Sequence, residues 1–334
     1  MDNEVAGTGE LKGVHLTERT IPVPKSISPH AQAALAMVRP DQEPFPALDD
    51  KAGWRALIEQ MNTGIAAMAR GPLMALPVKS ETTTVAGVTV YIAEPDTMPV
   101  ENRDKVLLYF HGGGLVICGG ETAHLITRME AFENRCKVYG VDYGNPPDHP
   151  YPAALDDCVA VYREMLKTYS PGQIVISGES GGGNLAAAVP LKIRDLGLPL
   201  PVAVGLFTPE VDLTESGDTF QTNRDIDVIL RRGLPEMNLL YADGADLGHP
   251  YLSPLFADFT KGFPPTFIQT GTRDMFLSNS VRIHRALRKA GIETELHVWE
   301  AMPHGGFHGA PEDREKYIEF AHFLSKNAGW ARLS

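Results

Sequence analysis

A serine flanked by glycines stands where an apolar strand gives way to a helix. The segment Gly178-Glu179-Ser180-Gly181-Gly182 follows QIVISG and precedes NLAAAVPLKIRDLG. A G-x-S-x-G pattern in that context puts the serine on a sharp, strained turn with its hydroxyl exposed. The glycines keep side chains from clashing with the backbone alongside. The positive end of the following helix favours negative charge developing there. A glycine-rich structural turn is the plainer reading. The strand before and the helix after weigh against it.

A hydroxyl that attacks a carbonyl creates an oxyanion, and that charge needs donors already in place. His111-Gly112-Gly113-Gly114 comes directly after the strand KVLLYF. Backbone amides in such a loop can point inward together. Joined by the amide after the serine, the set is Gly112, Gly113 and Gly181. The loop could instead cradle a phosphate, but no Walker-type lysine follows it. His111 itself reads as a brace for the loop rather than a reacting group.

A serine hydroxyl also needs a base. Among eleven histidines, His304 lies in EAMPHGGFH, in the loop after LHVWE. His308 stands four residues on, a metal-pair spacing if the segment were helical. Gly305 and Gly306 oppose a helix and no HExxH occurs, so no metal is expected. The imidazole in turn needs a carboxylate to fix its tautomer. Asp274 ends the strand PTFIQTG, at the carboxyl edge of the sheet where ligands of open α/β sheets bind. Ser180, Asp274 and His304 then run in the chain order Ser, Asp, His. Asp313 is a rival acid, but it lies beyond His304 and reads as the start of the last helix.

The elements that must position these residues are legible as alternating textures. KVLLYF, KVYGVDY, QIVISG, PVAVGLF, PPTFIQTG and ETELHVWE are short apolar runs. Helical stretches lie between them, near 122–136, 153–169, from about 183, 277–290 and 312–327. Unbroken apolar strands between helices predict a parallel sheet covered on both faces. Pro190 falls inside the helix after QIVISG and is expected to kink or shorten it. Residues 78–96 read as two strands with a turn at Ala86-Gly87. From Lys51 to Arg70, Trp54, Leu57, Ile58, Met61, Ile65 and Met68 form one apolar helical stripe. It fits a packed helix or a lid. Met61, Met68 and Met74 read as core packing rather than as a pocket lining. Residues 210–262 break the rhythm and hold one plausible helix, near 235–242. The division expected is an N-terminal cap segment 1–75, core 76–209, a cap insertion 210–262 and core 263–334.

Composition narrows the partners. The 334 residues carry a net charge of −12, with a pI near 5.4. Such a surface argues against nucleic acid and against an anionic membrane. Three cysteines, Cys118, Cys136 and Cys158, without a CxxC, argue against a disulfide framework. The acidic start MDNEVAGTGELKG has no apolar run, so no signal peptide is read. No apolar stretch is long enough to span a bilayer. A cytoplasmic protein is expected.

At this point the chain resembles the hormone-sensitive-lipase family of esterases, the bacterial family IV group. The resemblance covers roughly 75–330. It rests on YFHGGG at 109–114, VDYGNPPDHPYPAALDD at 141–157, ISGESGGGNLAAA at 176–188 and TPEVDLT at 208–214. SPLFAD at 253–258, QTGTRD at 269–274 and MPHGGFH at 302–308 complete it. It implies an α/β-hydrolase fold with an eight-stranded, mostly parallel sheet flanked by helices, under a helical cap. Ser180, Asp274 and His304 fall on the family's triad, and Gly112, Gly113 and Gly181 on its oxyanion donors. The implied activity is hydrolysis of short- to medium-chain acyl esters with no cofactor. Many members form dimers, so a homodimer is expected. A lactonase or amidase on the same triad, or a non-catalytic ligand-binding relative, are the alternatives. The chain departs from the family at several places: Gly181 for the usual alanine, Glu179 for a common aspartate, Gly144-Asn145 for arginine-leucine, Asp148 for a glutamate, and one extra glycine after His304.

Overall fold

A computed structural model describes residues 13–14, 17–37 and 44–333. The N-terminal stretch read as lacking a signal peptide lies outside them, apart from Gly13. The strands are β1 (Val78–Val85), β2 (Val88–Pro95), β3 (Val106–Phe110), β4 (Lys137–Asp142), β5 (Ile174–Glu179), β6 (Ala203–Phe207), β7 (Thr266–Gly271) and β8 (Thr294–Trp299). The helices are α1 (Pro29–Leu35), α2 (Lys51–Met74), α3 (Glu121–Asn134), α4 (Ala153–Met165), α5 (Gly181–Asp195), α6 (Thr219–Thr222), α7 (Pro235–Ala242), α8 (Leu277–Lys289) and α9 (Pro311–Ala328).

One eight-stranded sheet runs β1-β2-β4-β3-β5-β6-β7-β8. β1 and β2 form an antiparallel hairpin, β2 pairs antiparallel with β4, and every other pairing is parallel. Ala86 (φ 52°) and Gly87 (φ 87°) close the hairpin. Positive φ at both central residues matches the twist of the two strands. β3, β6 and β7 are buried along their whole length. This follows from helices on both faces. Val106, Leu108 and Phe110 of β3 pack with α4, α5 and α8, while Leu107 and Tyr109 face Ala131 of α3 and Phe320 of α9. The period of two along the strand thus feeds two separate cores.

α5 runs on through Pro190 to Asp195, so the expected shortening does not occur. Every residue from Gly181 to Leu191 is buried. Packing on all sides outweighs one missing backbone hydrogen bond. α2 buries Trp54 and packs Leu57, Ile58, Met61 and Ile65 against Phe220, Leu234, Met237 and Leu240 of the 210–262 segment. Met68 and Met74 do not join it, being 77% and 50% exposed. The helical stripe therefore ends a turn earlier than its pattern suggests. The 210–262 segment holds α7 at the expected place and the short α6 besides. Among the described residues, no helix is long and apolar enough to cross a membrane.

Candidate active site

Ser180 sits between β5 and α5 at φ 58°, ψ −121°, in the left-handed half of backbone space. Only close packing holds a non-glycine residue there. The flanking glycines show why. A Cβ on Gly178 would lie 2.2 Å from the carbonyl oxygen of Gly182, and one on Gly182 would lie 2.0 Å from that of Phe110. The nucleophile turn is thereby pressed against the end of β3. Ser180 also receives structure from its neighbour strand, its amide donating to Phe207 O at 2.9 Å.

The glycine loop after β3 wraps the same point. Gly113 (φ 113°) and Gly114 (φ 56°) are both left-handed. A Cβ on Gly112 would touch Glu179 O at 3.2 Å and Ser180 Cβ at 3.4 Å. One on Gly181 would lie 2.6 Å from the amide nitrogen of Leu115. Gly181 and the loop are thus in direct contact. Among the described residues, the amides of Gly112, Gly113 and Gly181 have no protein acceptor. Amides left free at one spot are what an oxyanion would need. His111 stacks on Tyr143 with centroids 4.1 Å apart, and its Nδ1 bonds Gly112 O at 2.8 Å. Tyr143 in turn donates to His111 O at 2.7 Å. Asn145, one of the departures from the family pattern, donates to Leu115 O at 3.0 Å and pins the far side of the loop. Asp148, another, forms an exposed ion pair with Arg55.

His304 lies in the loop between β8 and α9. Its Nε2 is 2.8 Å from Ser180 Oγ, and its Nδ1 is 3.1 Å from Asp274 Oδ1. Asp274 is fully buried, and its carboxylate also accepts from Thr270 Oγ1 (2.7 Å) and the amide of Phe276 (2.9 Å). With the proton on Nδ1 directed at Asp274, Nε2 is left to accept the Ser180 hydroxyl. The three side chains reach one another from the ends of β5, β7 and β8. Parallel strands put those ends on one edge. The rival acid Asp313 faces elsewhere. It accepts from the amides of Phe307, Gly309 and Ala310, and so closes the loop that carries the base. Gly305 (φ 74°) and Gly306 (φ 116°) supply the left-handed turns of that loop. Among the described residues, no group of three or more His, Cys, Asp and Glu could hold a metal ion.

Three carboxyl groups, those of Asp274, Asp227 and Glu179, act on this imidazole. Burial opposes charging His304, but the hydrogen bond and charge of Asp274, with Asp227 and Glu179, outweigh it. Its pKa is held above the ordinary 6.5. The neutral form is the one that can take a proton, so activity must fall as pH drops through that raised pKa. The acid limb of kcat/KM is therefore expected above pH 6.5, with about a tenfold loss per unit below it. A pH series in constant ionic strength checks this. A flat profile from about pH 5 to 8 excludes His304 as the base.

Three residues near the site are not singled out as candidates by the sequence, although Glu210 lies within the motif TPEVDLT. Asp227 is fully buried and bonds the main chain of both the acid turn and the base loop. Burial and the charge of Asp274 push its carboxyl up to about 6. Glu210 is fully buried, its amide donating to Ser180 O at 3.1 Å. Burial, and then Glu215, raise its carboxyl to about 8. Neither of its carboxyl oxygens has a hydrogen-bond partner among the described residues, so little there offsets the cost of burying its charge. Lys316 is buried, bonds Gly305 O at 3.1 Å and stands 3.9 Å from Glu179 Oε2. It spans two departures from the family pattern, Glu179 and the extra glycine. Nothing in their local spacing separates these three from surface charges; Asp225, two residues before Asp227, has a side chain that is 67% exposed.

A mostly parallel sheet with a strained serine turn at one edge, facing an imidazole and a carboxylate from later strands, defines an α/β hydrolase. The family model described as alpha/beta hydrolase fold matches residues 107–308. The chain belongs to that family, among its hormone-sensitive-lipase-like esterases. An acetyl-hydrolase of Streptomyces hygroscopicus is 32% identical over 62% of this chain and 69% of its own length. The crystal structure of esterase E25 superposes with a TM-score of 0.87 at 35% identity, over 95% of this chain and 99% of that one. A hormone-sensitive lipase from a metagenome library gives 0.72 at 30% identity, over 84% and 98%.

Proposed function

We propose that this chain, a carboxylic ester hydrolase, cleaves short- to medium-chain acyl esters by way of an acyl-enzyme on Ser180. Ser180 Oγ attacks the ester carbonyl while His304 Nε2 takes its proton. The amides of Gly112, Gly113 and Gly181 hold the oxyanion. His304 returns the proton to the leaving alcohol, then activates a water that releases the acid. Asp274 keeps the imidazole in the right tautomer and balances its charge. The observation that carries this reading is the buried, unbroken hydrogen-bond chain from Ser180 through His304 to Asp274.

The acyl range draws support from the similarity to an acetyl-hydrolase. We take segments 1–75 and 210–262 as the cap over the substrate. In support, α2 and α7 share one apolar cluster with Val116 and Ile117 after the glycine loop and with Phe276 beside Asp274. The Phe276 ring stands edge-on to His304 at 4.8 Å. A cytoplasmic setting fits three cysteines that are all buried and unpaired.

A panel of p-nitrophenyl esters of rising acyl length, with matched amide and lactone substrates, tests the substrate class. The expected result is a maximum among short and medium esters and much slower amide and lactone cleavage. Faster turnover of the lactone or amide overturns the ester assignment. Failure of a fluorophosphonate probe to label the protein points to a non-catalytic relative.

A further inference from the structure

Asp227 stands outside the Ser180–His304–Asp274 chain yet bonds the main chain of His304 and of Met275, the residue after Asp274. One carboxylate oxygen accepts from the amides of Met275 (2.9 Å) and His304 (3.2 Å). The other accepts from the amides of Ile229 (2.9 Å) and Leu230 (3.1 Å) in its own segment. Met275 follows Asp274 directly, so a single oxygen atom grips the acid turn and the base loop together. Asn223, four residues earlier, adds bonds to Asp274 O at 2.8 Å and Thr272 O at 3.2 Å. The 210–262 segment therefore clamps the acid turn at several points.

The chemistry calls for a carboxylate at 227. Four N–H donors converge on two oxygens. An asparagine has one acceptor oxygen, so its NH2 group would face two donors whichever way it turned. A buried donor without an acceptor costs far more than a net hydrogen bond contributes.

We infer that Asp227 is a positioning residue for ester hydrolysis. It sets the spacing of Asp274 and His304 by binding the main chain of both stretches, and it ties that spacing to the 210–262 segment. The inference rests on the reading of Ser180, His304 and Asp274 as the reacting groups. The charged groups facing Asp227 are Asp274 and His304; Glu179 and Glu210 also face the imidazole. A charge at 227 favours the imidazolium, which adds an electrostatic consequence to the mechanical one.

Asp227→Asn and Ser180→Ala, assayed side by side on a short-chain p-nitrophenyl ester, test it. Asp227→Asn is expected to lower kcat by roughly a hundredfold, the cost of about an ångström of misplacement. KM should hold, and the acid limb of kcat/KM should move to lower pH, because a charge favouring the imidazolium is gone. Wild-type kcat in Asp227→Asn with an inactive Ser180→Ala overturns this inference and spares the triad reading. A lower kcat with an unmoved acid limb also overturns it, since simple structural damage would do the same. Activity in Ser180→Ala overturns both. Should Asp227→Asn fail to fold, the wild-type protein supplies the reading by NMR. The amide protons of Ile229, Leu230, Met275 and His304 are expected to follow one common titration, and independent behaviour overturns the inference.

Discussion

Ser180→Ala is expected to lower turnover roughly a millionfold, the scale seen when serine hydrolases lose their nucleophile. The change removes one oxygen from a buried residue and leaves the rest of the turn as it is. Alanine has the same Cβ as serine, so the strain at φ 58° neither grows nor relaxes. The glycines whose space is set by the Gly182 and Phe110 carbonyls are untouched. Folding stability should therefore change little, and lost activity can be read as lost chemistry. What remains should be the modest rate that binding and oxyanion donors supply without a nucleophile. Steady-state kcat on a purified, correctly melting variant measures this. Retention of more than about a thousandth of wild-type turnover would mean that another group attacks the ester.

Asp274→Asn should cost about ten-thousandfold in kcat. The size follows from what the carboxylate does. Its Oδ1 faces both His304 Nδ1 and the Phe276 amide, and its other oxygen accepts from Thr270. In the variant the carboxamide oxygen can keep the Phe276 amide, while the Thr270 hydroxyl turns to accept from the new NH2 group. The fold can then survive with the site almost unchanged in shape. The negative charge is gone, however, and with it much of what raises the His304 pKa. The acid limb should move to lower pH even as the rate collapses, because the imidazolium formed in the transition state has lost its main counter-charge. A companion measurement is the double variant with Ser180→Ala. Residues acting as one unit are strongly non-additive, so the double variant should be no slower than Ser180→Ala alone. A fall close to the product of the two single effects would show that Asp274 works independently of Ser180.

The amino-acid order alone determines a good deal here. The strand-and-helix alternation from β3 onward is legible because parallel strands buried on both faces must be unbroken apolar runs. The serine turn is legible because glycine patterns of that kind are demanded by local backbone crowding, a property of a few neighbouring residues. Asp274 and His304 can be nominated because each follows a readable strand, and consecutive parallel strands end at one edge. α7 lies at Pro235–Ala242, where the sequence places it, because its turn signals and its apolar residues are all local.

Tertiary structure decided the remainder. α5 passes through Pro190 because surrounding elements bury it, a fact that no helix propensity contains. Met68 leaves the apolar stripe because the cluster under α2 ends at Ile65, and the last turns of α2 meet α3 through polar contacts instead. Asp227, Glu210 and Lys316 acquire their roles only by burial among segments remote in the chain. Asp227 meets His304 across 77 residues, and in sequence it is one aspartate among several in a polar loop. A carboxylate's meaning depends on which amides and charges surround it once water is excluded, and that surrounding exists only after the chain has folded.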